Sequence, residues 1–90
     1  MLQYDYRWGD EDVPGSHITV INECLNTYII SFEQESFDVK LFRDVHIPKG
    51  HKLISRESKD SIDGPFIKRV ITIKLYAVCN PKPEELFIID

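Results

Sequence analysis

Residues 65–80 carry the pattern that most restricts the fold of this chain. An extended chain points successive side chains to opposite sides, so period-two alternation gives one apolar face. The stretch therefore predicts a half-buried central strand, with a bend or bulge near Arg69, where the apolar series is broken. The alternating positions are Ile67, Arg69, Ile71, Ile73, Leu75, Ala77 and Cys79 on one side, and Lys68, Val70, Thr72, Lys74, Tyr76 and Val78 on the other.

Shorter alternating or apolar runs predict strands elsewhere in the chain. These runs cover residues 2–8, 37–42, 45–47, 51–55 and 86–89, and turn residues such as Pro48 and Gly50 separate some of them. Residues 56–64 contain one apolar side chain in nine and end in Asp-Gly before Pro65. That composition predicts an exposed, flexible loop that leads into the central strand.

Residues 17–34 admit two interpretations. Apolar side chains recur at helical spacing, which predicts an amphipathic helix with Ser16 as its N-cap. The same residues are rich in β-branched side chains, which favour two strands at 18–22 and 27–33 joined by a turn at 23–26. The composition favours the hairpin, and the helix remains the alternative. The positions of helical periodicity are Ile18, Ile21, Cys24, Leu25, Tyr28, Ile29 and Phe32.

These elements predict one domain over residues 1–90, an all-β fold with an antiparallel sandwich or partly open barrel of six or seven strands. The alternative is an α+β fold with one helix at about 17–33 packed on an antiparallel sheet. Cys24 and Cys79 lie in apolar surroundings in the sequence and are expected to be buried free thiols. The expected core comprises Ile30, Phe32, Val39, Leu41, Ile71, Ile73 and Leu75.

Composition limits the classes of function. No apolar run approaches the ~20 residues of a membrane helix, and no basic segment followed by an apolar run opens the chain. We therefore expect a cytoplasmic protein without membrane contact. The two cysteines and three histidines lack the spacing of metal-binding motifs, and the chain contains neither GxSxG nor a phosphate-binding loop. A non-enzymatic protein without metal or cofactor is expected.

Charge is distributed unevenly along the sequence. The net charge is −4, but residues 1–38 carry −7, residues 39–82 carry +6 and the last eight residues carry −3. Segregated signs would give oppositely charged faces if the fold keeps them apart. Antiparallel neighbours would instead interleave them as cross-strand pairs.

The first candidate site is an acidic patch beside an aromatic side chain. Trp8 is followed by Asp10, Glu11 and Asp12 in a turn-rich segment, and tryptophan is enriched at binding hot spots. These residues predict protein binding, or an inhibitor role, through a charged, aromatic-edged surface facing a basic partner. A core tryptophan followed by an ordinary acidic turn is the competing interpretation.

The alternative site is the polar side of the central strand. Lys68, Lys74 and Tyr76 share one side there, and Lys40 and Phe42 from another strand are candidates to extend it. Bases interleaved with aromatics suit a nucleotide or a single-stranded nucleic acid, which binds by stacking and phosphate contact. The sequence pI near 5.3 disfavours a polyanionic ligand.

Overall fold

A computed structural model describes residues 2–7 and 16–89 of the chain. Strands and short 3₁₀ turns make up its regular structure, and antiparallel pairing joins all neighbouring strands. The expected all-β fold is therefore confirmed. The strands are β1 (Leu2–Arg7), β2 (His17–Cys24), β3 (Thr27–Ser36), β4 (Val45–His46), β5 (Lys52–Asp63), β6 (Phe66–Tyr76) and β7 (Ile88–Ile89), with 3₁₀ turns at Val39–Leu41 and Pro83–Glu85.

The main sheet has the order β1-β2-β3-β6-β5, and β4 pairs with β7 in a second, two-stranded sheet. β6 is the central strand that the alternation predicts, flanked by β3 and β5. Its pairing with β3 runs without a shift from Ser36 opposite Ile67 to Thr27 opposite Tyr76. The bulge expected near Arg69 is therefore absent from this ladder. The irregularity lies instead in β5, between Leu53 and Ser55.

Residues 17–36 form a hairpin and not a helix. The turn between β2 and β3 places Asn26 at a φ of 62°, a conformation that asparagine tolerates better than most residues. The Asn22 side chain donates hydrogen bonds to the carbonyl oxygens of Cys24, at 2.9 Å, and of Thr27, at 3.1 Å. The Asn22 side chain thus stabilises the turn by hydrogen bonds to its backbone. The β-branched composition of the flanking residues, and not their helical periodicity, determines the structure.

The core lies on one face of the five-stranded sheet, called here the inner face. Alternate residues of β2, β3 and β6 point to it, and cross-strand partners such as Phe32 and Ile71 pack side by side. Val45, Ala77 and Leu86 cover this face from the β4 and C-terminal segments. The buried sheet residues are Ile18, Val20, Tyr28, Ile30, Phe32, Ile71, Ile73 and Leu75.

The chain turns sharply after β6 to bring the C-terminal segment over the core. The Ala77 amide donates to the Asn26 carbonyl at 2.8 Å, and Cys79 and Asn80 follow with φ values of 70° and 47°. Leu86 is then completely buried. In the described part of the chain, no helix is long and apolar enough to cross a membrane.

Two predictions about the core are wrong. Residues 37–42 do not form a strand, because the Asp38 carboxylate accepts a hydrogen bond from the Lys40 amide at 3.0 Å and caps a 3₁₀ turn. Val39 is consequently 42% exposed and Leu41 is only half-buried. Cys24 and Cys79 are both exposed, since each lies in or beside a turn at the end of a strand.

The assignment of residues 56–64 to a loop is also wrong. They continue β5, which runs from Lys52 to Asp63 against β6. β5 is an edge strand whose residues are all exposed, so it needs no apolar face and its composition resembles that of a loop. Pairing with a well-defined neighbour, and not burial, keeps this segment extended.

Candidate functional site

Large apolar side chains are exposed at one end of the main sheet. Phe37 is 70% exposed, Ile62 is 84% exposed and Phe66 is 36% exposed. We call these three residues the apolar end patch. The strand register places all three at the same end of the sheet, because Ser36 and Ile62 both lie opposite Ile67, and Phe66 pairs with Asp63. Ile62 lies on the inner side, like Ile67, and Phe66 lies on the outer side.

A tight turn forms the tip of this end. Gly64, with a φ of 62°, and Pro65 connect β5 to β6. Glycine at the first central position is what a two-residue hairpin turn of type II′ requires, and that turn matches the twist of paired strands. The turn holds Ile62 and Phe66 on adjacent strands, four residues apart in sequence, so both remain at the end of the sheet.

A cluster of polar and aromatic groups supports the patch from the inner face. Arg69 donates two hydrogen bonds to Asp60, from Nε at 2.8 Å and from Nη2 at 3.0 Å. The Arg69 guanidinium also lies 5.0 Å from the centre of the Phe42 ring, in cation–π geometry. The hydrogen bond from Arg69 lowers the pKa of Asp60 and raises the pKa of Arg69 itself. The apolar series is therefore interrupted at Arg69 because this side chain makes a cross-strand contact.

The segment that follows the patch is fastened to β3 by a buried amide. Gln34 is completely buried, and its Oε1 accepts from the Arg43 amide at 2.6 Å while its Nε2 donates to the Arg43 carbonyl at 2.8 Å. The Gln34 side chain thus bonds the backbone N–H and C=O groups of Arg43, as a neighbouring strand would in a sheet. Residues 37–43 are held at both ends, and Phe37 is exposed because the chain leaves the sheet at Ser36.

A second charged contact joins β5 to β4. The Arg56 guanidinium bonds the Asp44 carboxylate through Nη2 and the Val45 carbonyl through Nη1, the latter at 2.9 Å. The hydrogen bond from Arg56 is the largest cause of the lowered pKa of Asp44. β5 is thereby connected to the segment that covers the core.

The acidic candidate site, Trp8 with Asp10, Glu11 and Asp12, lies outside the described residues. The ends of the strands that flank it are described. Arg7 closes β1 opposite His17, and His17 opens β2 opposite Glu33, three residues before the end of β3. The chain therefore leaves β1 and enters β2 at the same end of the sheet as the apolar end patch.

The alternative site lies on the outer face of the sheet, with its lysines paired. Lys68 lies 3.7 Å from Glu33, which is 3.6 Å from His17, and Lys74 lies 3.2 Å from Glu23. Tyr76 shares this face by strand alternation and is 42% exposed. Acids of β2 and β3 thus interleave with bases of β6, and the charge segregation along the sequence is lost on this face.

Phe42 does not extend the outer face, because its ring lies beside Arg69 on the inner side of the sheet. Lys40 lies in the 3₁₀ turn and not on a neighbouring strand. The prediction that these two residues extend the basic side is wrong. The reason is the same 3₁₀ turn that ends the extended conformation after β3.

A small pocket at the opposite end of the inner face was not anticipated from the sequence. Its cavity volume is about 230 Å³, below the ~300–1,000 Å³ usual for small-molecule sites. It forms because the proline-containing C-terminal segment arches over the sheet, which local sequence patterns do not indicate. Its walls are Val20, Asn22, Tyr28, Asn80, Pro81, Pro83 and Leu86.

Among residues 2–7 and 16–89, no group of three His, Cys, Asp or Glu side chains is placed to hold a metal ion. No protein-family model matches the chain, and neither the curated proteins nor the solved structures contain a match.

Proposed function

We propose that this protein is a non-enzymatic binding protein that attaches to a protein partner through the apolar end patch and the acidic segment with Trp8, Asp10, Glu11 and Asp12, which follows β1 in the sequence. The exposure of Phe37, Ile62 and Phe66 at one sheet end is the observation that carries this proposal. Large apolar side chains that a fold leaves exposed at one end mark candidate protein-binding surfaces.

The support around the patch favours a binding role. Rigid aromatic side chains lose little conformational entropy on binding, and anchors of this type dominate interface energies. Phe37 is followed by a segment held by Gln34, and Phe66 follows a tight turn. Both aromatic residues are therefore presented by backbone that is already ordered before a partner arrives.

The acidic segment defines the chemistry of the partner. Three carboxylates next to a tryptophan complement a basic protein surface, and such charges accelerate association more than they increase affinity. A protein of this kind would compete with any anionic ligand of the same basic surface and so act as an inhibitor. Cytoplasmic location is part of the proposal, supported by two exposed free thiols, which reducing compartments preserve.

The test compares two variants with a matched control. Phe37→Ser removes an aromatic anchor, while Leu25→Ser removes a side chain that is 82% exposed in the β2–β3 turn, at the other end of the sheet. Proteins captured from the native host by the parent chain are identified and their affinities are measured by surface plasmon resonance. We expect Phe37→Ser to weaken binding at least tenfold and Leu25→Ser to leave it within twofold.

Neutralising the acidic segment should change the rate of association. The variant with Asp10→Asn, Glu11→Gln and Asp12→Asn should associate more slowly at low salt and lose most of the salt dependence, because exposed charges are screened within ~8–10 Å at physiological ionic strength. If Lys68→Ala with Lys74→Ala abolishes binding instead, and the parent binds single-stranded oligonucleotides, the outer face is the site and the proposal is wrong.

A further inference from the structure

The free edge of β5 is open for pairing. β5 is the last strand of the main sheet, it pairs only with β6 among the described strands, and all 12 of its residues are exposed. An edge strand of this kind presents a row of backbone N–H and C=O groups to any strand that approaches it. At 12 residues it is also about twice as long as a usual strand.

Charged side chains on such an edge commonly prevent association. Here, however, the order of charges along β5 is complementary to the order in a second, antiparallel copy of the same strand. Residues 54–62 read Ile-Ser-Arg-Glu-Ser-Lys-Asp-Ser-Ile. When this segment is laid antiparallel against a second copy and centred on Ser58, Arg56 faces Asp60 of the copy and Glu57 faces Lys59. Ser55 then faces Ser61, and Ile54, the extra residue of the β5 irregularity, lies just outside the regular part of the pairing. Every charge meets its opposite, and the segment carries no net charge.

Symmetry restricts the registers that a dimer can use. A two-fold axis perpendicular to the sheet requires the central residue to face its own copy. Centring on Arg56, Glu57, Lys59 or Asp60 would place that charge against itself. Centring on Ser61 would place Ile62 against Asp60, and centring on Ser55 would run the pairing through the irregularity between Leu53 and Ser55. Of the registers centred on residues 55–61, only Ser58 satisfies all four charges.

We propose that two copies of the chain associate edge to edge through β5, antiparallel and centred on Ser58, so that the two main sheets become one continuous sheet. Pairing residues 55–61 would form about six to eight main-chain hydrogen bonds. Cross-strand pairs of opposite charge would add specificity. The occupant of this edge is therefore a second copy of the same chain.

The ion pairs within each chain are compatible with this arrangement. Arg56 is bonded to Asp44, and Asp60 is bonded to Arg69, on the inner face. In the dimer these pairs would join into an alternating series that runs from Asp44 through Arg56 to Asp60 and Arg69 of the second copy. On the other face Lys59 lies 3.5 Å from Glu57 of its own strand, and two such pairs would form an alternating group of four charges.

Charge exchange on the outer face tests the register. Glu57→Lys places the introduced lysine against Lys59 of the other copy, and Lys59→Glu places the introduced glutamate against Glu57 of the other copy. The two-fold axis repeats each like-charge contact, so either variant should dimerise at least tenfold more weakly than the parent. The double exchange, Glu57→Lys with Lys59→Glu, restores every opposite pair and should restore dimerisation. An equimolar mixture of the two single variants should form a heterodimer.

Sedimentation equilibrium of the full chain, from micromolar to millimolar protein, measures these dissociation constants. Glu84→Lys and Lys49→Glu are the controls, since both residues are exposed and lie outside β5, and these variants should dimerise like the parent. Circular dichroism melting verifies that each variant is folded. A parent that stays monomeric at millimolar concentration would overturn the proposal, as would a dimer that the single exchanges leave unaffected or the double exchange fails to restore.

Discussion

Single polar side chains determine how the parts of this fold are connected. Gln34 holds residue 43, Asn22 holds the β2–β3 turn, and Arg69 joins β5 and β6 to the Phe42 ring. Each makes contacts that depend on a partner distant in sequence or on the backbone. The sequence therefore identified none of these roles, although the interruption of the apolar pattern at Arg69 marked a position that needed an explanation.

The buried Gln34 amide contributes to stability through its two hydrogen bonds to the Arg43 backbone. Gln34→Leu keeps a similar volume but leaves the Arg43 amide and carbonyl without their partners, so it should lower the free energy of unfolding by ~1–3 kcal/mol. Urea denaturation followed by tryptophan fluorescence measures the change. Ser31→Ala, on the outer face of the same strand, is the control and should change stability by less than ~0.5 kcal/mol. Equal stability of Gln34→Leu and the parent would contradict the role assigned to this amide.

The two lowered pKa values predict the direction of acid destabilisation. The hydrogen bonds from Arg56 and Arg69 hold the pKa values of Asp44 and Asp60 below the ordinary value of about 4. As the pH falls, the unfolded chain therefore binds protons at these two carboxylates before the folded chain does. The contribution of the two carboxylates to the free energy of unfolding is complete above about pH 5 and is lost as the pH falls through and below about 4. Unfolding measured between about pH 2 and 7 should show a weaker acid dependence in Asp44→Asn with Asp60→Asn. An unchanged pH profile in the double variant would contradict the assignment.

Strands that bury one face were predictable, and those that bury none were not. β6 has apolar side chains at every second position, and that pattern identified it. The β2–β3 hairpin was favoured by its β-branched composition, against a competing helical periodicity. β5 is stabilised by backbone pairing and by contacts such as that of Asp60 with Arg69, which leave no local signal in composition. Residues 37–42 alternate well but do not continue the sheet, because Asp38 caps a 3₁₀ turn.

The side chains of β6 that face inward form part of the core, and those that face outward do not. Leu75 is fully buried between Tyr28 and Leu53 in the strand register, so Leu75→Ala should lower the free energy of unfolding by ~2–5 kcal/mol through lost transfer energy and a cavity. Tyr76→Ala changes the next residue, which points to the opposite face and is 42% exposed, and should have a much smaller effect. Thermal or urea unfolding compares the two. Similar losses for both would show that the inner face is not the core.

Over the described residues, the main sheet buries its inner face and leaves its outer face partly exposed and the β5 edge exposed. Charge that is segregated along the sequence becomes interleaved on the outer face, through contacts such as those of Lys68 with Glu33 and Lys74 with Glu23. Sequence counts could not anticipate this, since strand order decides which charges become neighbours. Of the candidate binding residues, the sequence indicated the acidic segment but not Phe37, Ile62 or Phe66, whose exposure follows from the ends of strands.

The position of β5 as a paired edge strand supports both the apolar end patch and the proposed dimer. NMR spectroscopy of the isotopically labelled chain tests it most directly. We predict extended-strand chemical shifts throughout Lys52–Asp63, with nuclear Overhauser contacts that connect Arg56 to Ile73, Ser58 to Ile71 and Asp60 to Arg69. Random-coil shifts over residues 56–63 without contacts to β6 would contradict this structure and remove the basis of both proposals.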